Sequence, residues 1–152
     1  MQVWAVANQK GGVGKTTSVV TLAGLLAQQG HRVLVVDLDP HGSLTAYFGH
    51  DPDTMRQSVY DLFINPHQAA SNLLMPTNLP NLILLPASSR MAALERQAGQ
   101  LDGMGLVMQR ALAQVNTLFD YVLIDSPPIL GVAKINALVA CELLLMPVQT
   151  EF

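Results

Sequence analysis

A chain of 152 residues, half of them hydrophobic and 12% charged, carries enough apolar material for one sizeable core and is not disordered. Its formal net charge of −3 gives no overall electrostatic drive toward nucleic acid or an anionic membrane. The single cysteine, Cys141, excludes an internal disulfide, or a cysteine cage for zinc or an iron–sulfur cluster, within one chain.

Val3 to Asn8 reads as a strand whose near-continuous apolar character suits burial on both faces of a parallel sheet. Lys10-Gly11-Gly12-Val13-Gly14-Lys15-Thr16-Thr17 follows, and Thr16 to Gln29 reads as a helix stopped by Gly30. Strand, glycine-rich loop and helix form the context in which a phosphate-binding loop works. The glycines let consecutive backbone N–H groups point at one anion, and the helix N-terminus adds its dipole. Lys15 supplies a point charge for β- and γ-phosphates, and the Thr16 hydroxyl is placed to ligate Mg²⁺.

Val33 to Val36 is a second buried strand ending at Asp37, which completes a right-handed β-loop-α-β unit. Pro40 and Gly42 punctuate the loop Asp37 to Ser43. Residues 44–80 are the least legible part. Asp51-Pro52-Asp53 reads as a turn and Ser58 to Ile64 as a short helix, and Pro66, Pro76 and Pro80 break up the rest. Leu82 to Leu85 is a third strand, and Ser88 or Ser89 is placed to cap a helix over Met91 to Ala98. Leu101 to Gly105 reads as a hinge, and Leu106 to Leu118 has helical apolar spacing.

Tyr121 to Ile124 is another buried strand, ending at Asp125, and Ser126-Pro127-Pro128 forces a bend. Gly131 to Ala140 reads as helix and Leu143 to Val148 as a last strand. The alternation predicts one α/β domain over residues 1–152 with a mainly parallel sheet. No apolar run approaches the roughly 18 residues of a spanning helix, and the N-terminus lacks the order of a signal peptide. The cytoplasm is therefore the expected compartment.

The glycine loop departs from the ordinary Walker A pattern, because Gln9 stands where that pattern needs Gly. It fits K-G-G-x-G-K-[ST]-T in full. In this it resembles the deviant Walker A motif of the ParA/MinD family of partition and positioning ATPases. Asp37-Leu38-Asp39-Pro40 and the Walker B-like Tyr121 to Pro128 extend the likeness from residue 2 to the C-terminus. The resemblance implies a three-layer P-loop NTPase-type fold with ATP and Mg²⁺ as cofactors. Gly11, Gly12, Val13, Gly14, Lys15, Thr16 and Thr17 would hold the nucleotide. Thr16 and Asp125, at a strand's C-terminal tip, would hold the metal, partly through water.

By the same resemblance Asp39 orients the attacking water and contributes to the metal site, and Asp37 supports the metal region. Alternation along an extended segment would turn both to one side. Lys10 would reach across a homodimer interface to the partner's ATP, beside Lys15 as a catalytic lysine. A ParB-like or other stimulating protein is the implied partner, with association at the nucleoid or a cell pole. Family members continue well beyond Phe152, so C-terminal strands and helices would be missing, together with much of the dimer surface and any non-specific DNA-binding surface.

His41 and Ser43 stand where the family has Gln and Asn. The alternatives are a nucleotide-binding module without hydrolysis, or a phosphotransferase or reductase of the same loop class. The other histidines show no ligand spacing. The methionines and Cys141 read as core residues, and Arg90, Arg96 and Arg110 as helix-surface residues.

Overall fold

Val33-Leu34-Val35-Val36 and Tyr121-Val122-Leu123-Ile124 carry side chains that must be hidden on both faces, and they lie side by side at the centre of a sheet. The computed structural model describes residues 1–10, 12, 14–97 and 103–150. The strands are β1 Gln2–Val6, β2 Val33–Asp37, β3 Met75–Pro76, β4 Leu82–Leu85, β5 Tyr121–Asp125 and β6 Leu143–Leu145. Their order is β3-β4-β2-β5-β1-β6, with every neighbour parallel except β3 against β4.

The helices are α1 Lys15–Gln28, α2 Ser43–Tyr47, α3 Val59–Ile64, α4 Met91–Gln97, α5 Val107–Ala113 and α6 Val132–Ala140. Val33 and Val35 point to one face of the sheet, where α1 packs through Val19, Ala23 and Ala27 and α2 through Leu44. Leu34 and Val36 point to the other face, against α3 to α6. These are the expected three layers. Gly30 ends α1 at φ 90°, with the Gly30 and His31 N–H groups donating to Ala27 and Leu26 carbonyls. That is the glycine-closed helix end the sequence predicts.

Several boundaries differ from the sequence expectation. β1 ends at Val6, not Asn8, because the Asn8 side chain turns to donate to the Pro147 carbonyl at 2.7 Å. Ser58 caps α3 rather than belonging to it, in a reciprocal box with Asp61. The predicted helix Leu106–Leu118 is α-helical only over α5. Beyond it Gln114, Val115 and Leu118 donate to carbonyls three residues back, a tighter winding. Val115, Asn116 and Thr117 are weak helix formers.

β6 stops at Leu145 instead of Val148, since Pro147 has no N–H for the ladder. The illegible stretch holds α2, α3, a 3₁₀ turn at Ala70–Leu73 and the antiparallel β3. Part of the predicted 91–98 helix end and of the 101–105 hinge lies outside the described residues. Gly103, at φ 82°, leads into a 3₁₀ turn at Met104–Leu106.

Among the methionines, Met91 and Met108 are buried while Met1 and Met146 are exposed, so core filling is only part of their use. Cys141 sits half-buried at the end of α6, packed against the core. Arg90 lies before α4, not in it. Its guanidinium stacks 4.5 Å from the Tyr60 ring centroid and donates to the Met55 and Arg56 carbonyls. β6 is an edge of the sheet, with Leu143, Leu144, Met146 and Val148 exposed. No described helix is long and apolar enough to cross a membrane.

Candidate functional site

Parallel pairing brings the carboxyl ends of β1, β2 and β5 together, setting Asp125 beside both Val6 and Asp37. Ligands bind at such strand ends in open α/β sheets. The loop after β1 rises there and turns into α1. Gly12 and Gly14 adopt φ 72° and 87°, where L side chains are strained, although a Cβ at either would meet no atom within 4 Å. Their requirement is conformational rather than spatial. Gly11 and Val13 lie outside the described residues.

Lys15 opens α1 and curls back, its Nζ 3.4 Å from the Lys10 carbonyl. The Thr16 hydroxyl donates to Asp125 Oδ2 at 2.5 Å. Gly12, Gly14, Lys15, Thr16, Thr17, Asp39, His41, Ser43 and Pro128 line one open cavity of about 490 Å³. Lys10 is exposed at the loop, its N–H donating to Asn8 Oδ1 at 2.9 Å.

The two aspartates at and just after the end of β2 have different surroundings, contrary to the alternation argument. Asp39 borders the cavity, with its side chain 15% exposed and its Oδ1 accepting from the His41 N–H at 2.9 Å and 3.1 Å from His41 Nδ1. Asp37 is fully buried and does not line that cavity. Its Oδ1 accepts from the Asp39 N–H at 3.1 Å, and its Oδ2 from the Thr45 N–H at 2.8 Å and hydroxyl at 2.7 Å. The Thr45 hydroxyl in turn accepts from the Ala87 N–H at 2.9 Å. Asp37 thus ties β2 to α2 and to the segment after β4.

Burial pushes Asp125 up to about 6, and the Asp39 charge adds to this, while Thr16 and Lys15 oppose it. Burial likewise pushes Asp37 up to about 7 against its Thr45 hydrogen bonds, with Asp125 repelling it. A cation would relieve this crowding. The donors of Thr16, Asp125 and Asp39 are all oxygens, as Mg²⁺ prefers. Among the described residues no group of three acidic, histidine or cysteine side chains forms a cage. The set therefore fits a hard ion that shares its shell with phosphate oxygens and water.

Sequence reasoning missed four contributors. Thr45 is one. Gln149 is another, its amide donating to the Gly12 carbonyl at 3.2 Å. Glu95 of α4 caps α6, with its two oxygens accepting from the Val132 and Ala133 N–H groups at 2.8 Å each. A Cβ on Gly131 would lie 2.1 Å from Glu95 Oε2. Lys134 is the fourth, and only it left a local signal: one charge inside an apolar helical run.

Gly42 stands at φ 66°, and a Cβ there would lie 2.1 Å from Pro52 Cγ. Gly42→Ala is expected to lower unfolding free energy by about 2 kcal/mol or more, from strain plus the forced shift of Pro52. Urea unfolding measures this, and an unchanged midpoint would contradict it.

A family profile described as an AAA domain matches residues 1–152. The sporulation initiation inhibitor protein Soj of Bacillus subtilis is 38% identical over 151 residues, which is 99% of this chain and 59% of that protein. The chromosome partitioning protein ParA of Caulobacter vibrioides is 36% identical over 154 residues, with 100% of this chain and 57% of that protein covered. A solved structure named as cobyrinic acid a,c-diamide synthase from Mycobacterium smegmatis, with bound ATP analogue and magnesium, superposes at a TM-score of 0.93. It shares 43% identity, over 100% of this chain and 62% of its own. The present chain thus spans little more than half the length of the curated relatives it matches.

Proposed function

The chain belongs to the ParA/Soj/MinD family of P-loop ATPases, and from that premise we propose that it works as a Mg²⁺-dependent ATP switch. The observation that carries this reading is the convergence of Lys15, Thr16 and Asp39 on one cavity at the strand ends, with the buried Asp125 bonded to the Thr16 hydroxyl. Relatives of this fold bear different names, so function is argued from the site rather than from the fold.

In this reading the loop N–H groups and Lys15 cradle the phosphates. Thr16 and Asp125 would hold the metal, which would supply charge neutralisation for the phosphates. Asp39 orients the attacking water, with His41 holding its Oδ1 side. Asp37 contributes indirectly, by fixing the backbone that carries Asp39. Lys10 acts in trans on the ATP of a second copy, and the γ-phosphate shifts the population toward a dimer. Hydrolysis, stimulated by a ParB-like or other partner, returns it to the monomer. The switch serves DNA partition or the positioning of a protein complex in the cytoplasm.

Light scattering of Asp39→Ala with Mg²⁺-ATP and with Mg²⁺-ADP tests the reading. The mass is expected to double with ATP only, and to return to the monomer value when Lys10→Ala is added. A monomer with ATP still bound would replace the switch by a nucleotide-binding module whose dimer surface is not in these residues.

A further inference from the structure

Lys134 is the third residue of α6 and is 6% exposed. Its ammonium donates to the Pro128 carbonyl at 3.1 Å, and among the described residues no carboxylate pairs with it. A partly desolvated ammonium held by one neutral oxygen gains from a counter-charge close by. Burial lowers its proton affinity, and the like charge of Lys15 lowers it further. Two cationic side chains therefore repel each other across the same region, one inside the phosphate cavity and one behind its wall.

That wall includes Pro128, which lines the phosphate cavity together with Asp39 and the glycine loop. Pro127 and Pro128 also border a second cavity of about 340 Å³ together with Asp39 and His41. The segment Ser126–Gly131 thus stands on the Asp39 side. A triphosphate is one phosphate longer and more negative than a diphosphate, and with Asp39 assigned to the attacking water its extra phosphate would lie on that side. The Glu95 cap fixes the other end of the segment through the Val132 and Ala133 N–H groups. An anion of high charge in the cavity would supply what the fold withholds from Lys134.

We propose that Lys134 is a positioning residue that selects the triphosphate: it holds the Pro128 carbonyl, and its charge favours a γ-phosphate at the Asp39 side of the cavity. This rests on the nucleotide-switch reading.

The test is calorimetric binding of a non-hydrolysable ATP analogue and of ADP, each with Mg²⁺, to the 152-residue chain and two variants. Lys134→Gln keeps a donor for the Pro128 carbonyl but not the charge, and Lys134→Arg keeps the charge. The glutamine variant is expected to lose about tenfold in preference for the ATP analogue over ADP, a Coulomb effect of ordinary size at a partly screened site. The arginine variant is expected to retain most of it. A purely structural lysine would weaken both nucleotides alike, so an unchanged ratio in a folded glutamine variant overturns the proposal. If Lys134→Gln does not fold, a lost preference in folded Lys134→Arg, which keeps the charge, overturns it equally. If the unmodified chain binds neither nucleotide, the switch reading itself fails and takes this inference with it. Lys15→Ala, measured alongside, separates that case by abolishing binding that is otherwise present.

Discussion

Asp125→Asn is expected to make the nucleotide-free chain more stable at pH 8 and to reduce ATP hydrolysis by about a hundredfold or more. The side chain is 2% exposed, and burial is the first cause of its raised value of about 6. An unfolded aspartate titrates near 3.9. The folded state therefore binds the proton more tightly. This contributes stability that is fully present below about pH 4 and is lost as pH rises through about 6. Asparagine has the same shape, still accepts from the Thr16 hydroxyl, and carries no charge to bury.

The gap between variant and parent should therefore open between about pH 4 and 7 and reach on the order of 2 kcal/mol above that range. Asp37, raised to about 7, leaves a slope of the same sign in both proteins. Urea unfolding across this pH range gives the stabilities, and phosphate release with Mg²⁺-ATP gives the activity. A variant less stable than its parent at pH 8 would contradict the argument. The same substitution removes the anionic oxygen assigned to the metal, so stability and function trade against each other at one atom.

Thr45→Val is expected to destabilise the fold by about 3 kcal/mol with no loss of apolar contact. The hydroxyl serves two buried partners, donating to Asp37 Oδ2 and accepting from the Ala87 N–H. Removing it orphans one N–H and strips one donor from a buried carboxylate, each costing about 1–3 kcal/mol. Thermal melting should show a fall of roughly 6–12 °C for a chain of this size. Thr45→Ser keeps the hydroxyl and should remain within about 1 kcal/mol of the parent. Equal losses from the two substitutions would place the effect in the methyl group instead.

The strands with two buried faces could be read from the residues, because Val33-Leu34-Val35-Val36 and Tyr121 to Ile124 advertise their environment locally. The phosphate loop was legible for a similar reason: Gly12, Gly14, Lys15 and Thr16 act within one turn of chain, so spacing alone carries their chemistry. The position of Asp125 at a strand tip was legible because it ends an apolar run. What escaped depends on contacts distant in sequence. Asp37 meets Thr45 eight residues on, and Thr45 meets Ala87 after forty-two more. Glu95 reaches Val132 across thirty-seven residues, and Asn8 reaches Pro147 across one hundred and thirty-nine. α5 ended early because a helical apolar pattern reports which side is buried, not whether Val115 to Thr117 can keep the winding. β6 ended early because the ladder needs an N–H that Pro147 lacks.

The sheet order has a consequence for synthesis. β1 is made before β2 and β4 but pairs only with β5 and β6, at Tyr121–Asp125 and Leu143–Leu145. As the ribosome proceeds, this apolar strand and the glycine loop behind it have no neighbouring strand to pair with until β5 has emerged. β2 and β4, adjacent in the sheet and close in sequence, can pair well before that. The nucleotide cavity, lined by residues from Gly12 to Pro128, closes only after β2 and β4 can have paired. ATP meets the complete cavity only once Pro128 has emerged, and the unpaired β1 segment is a natural client for a chaperone that holds extended apolar segments.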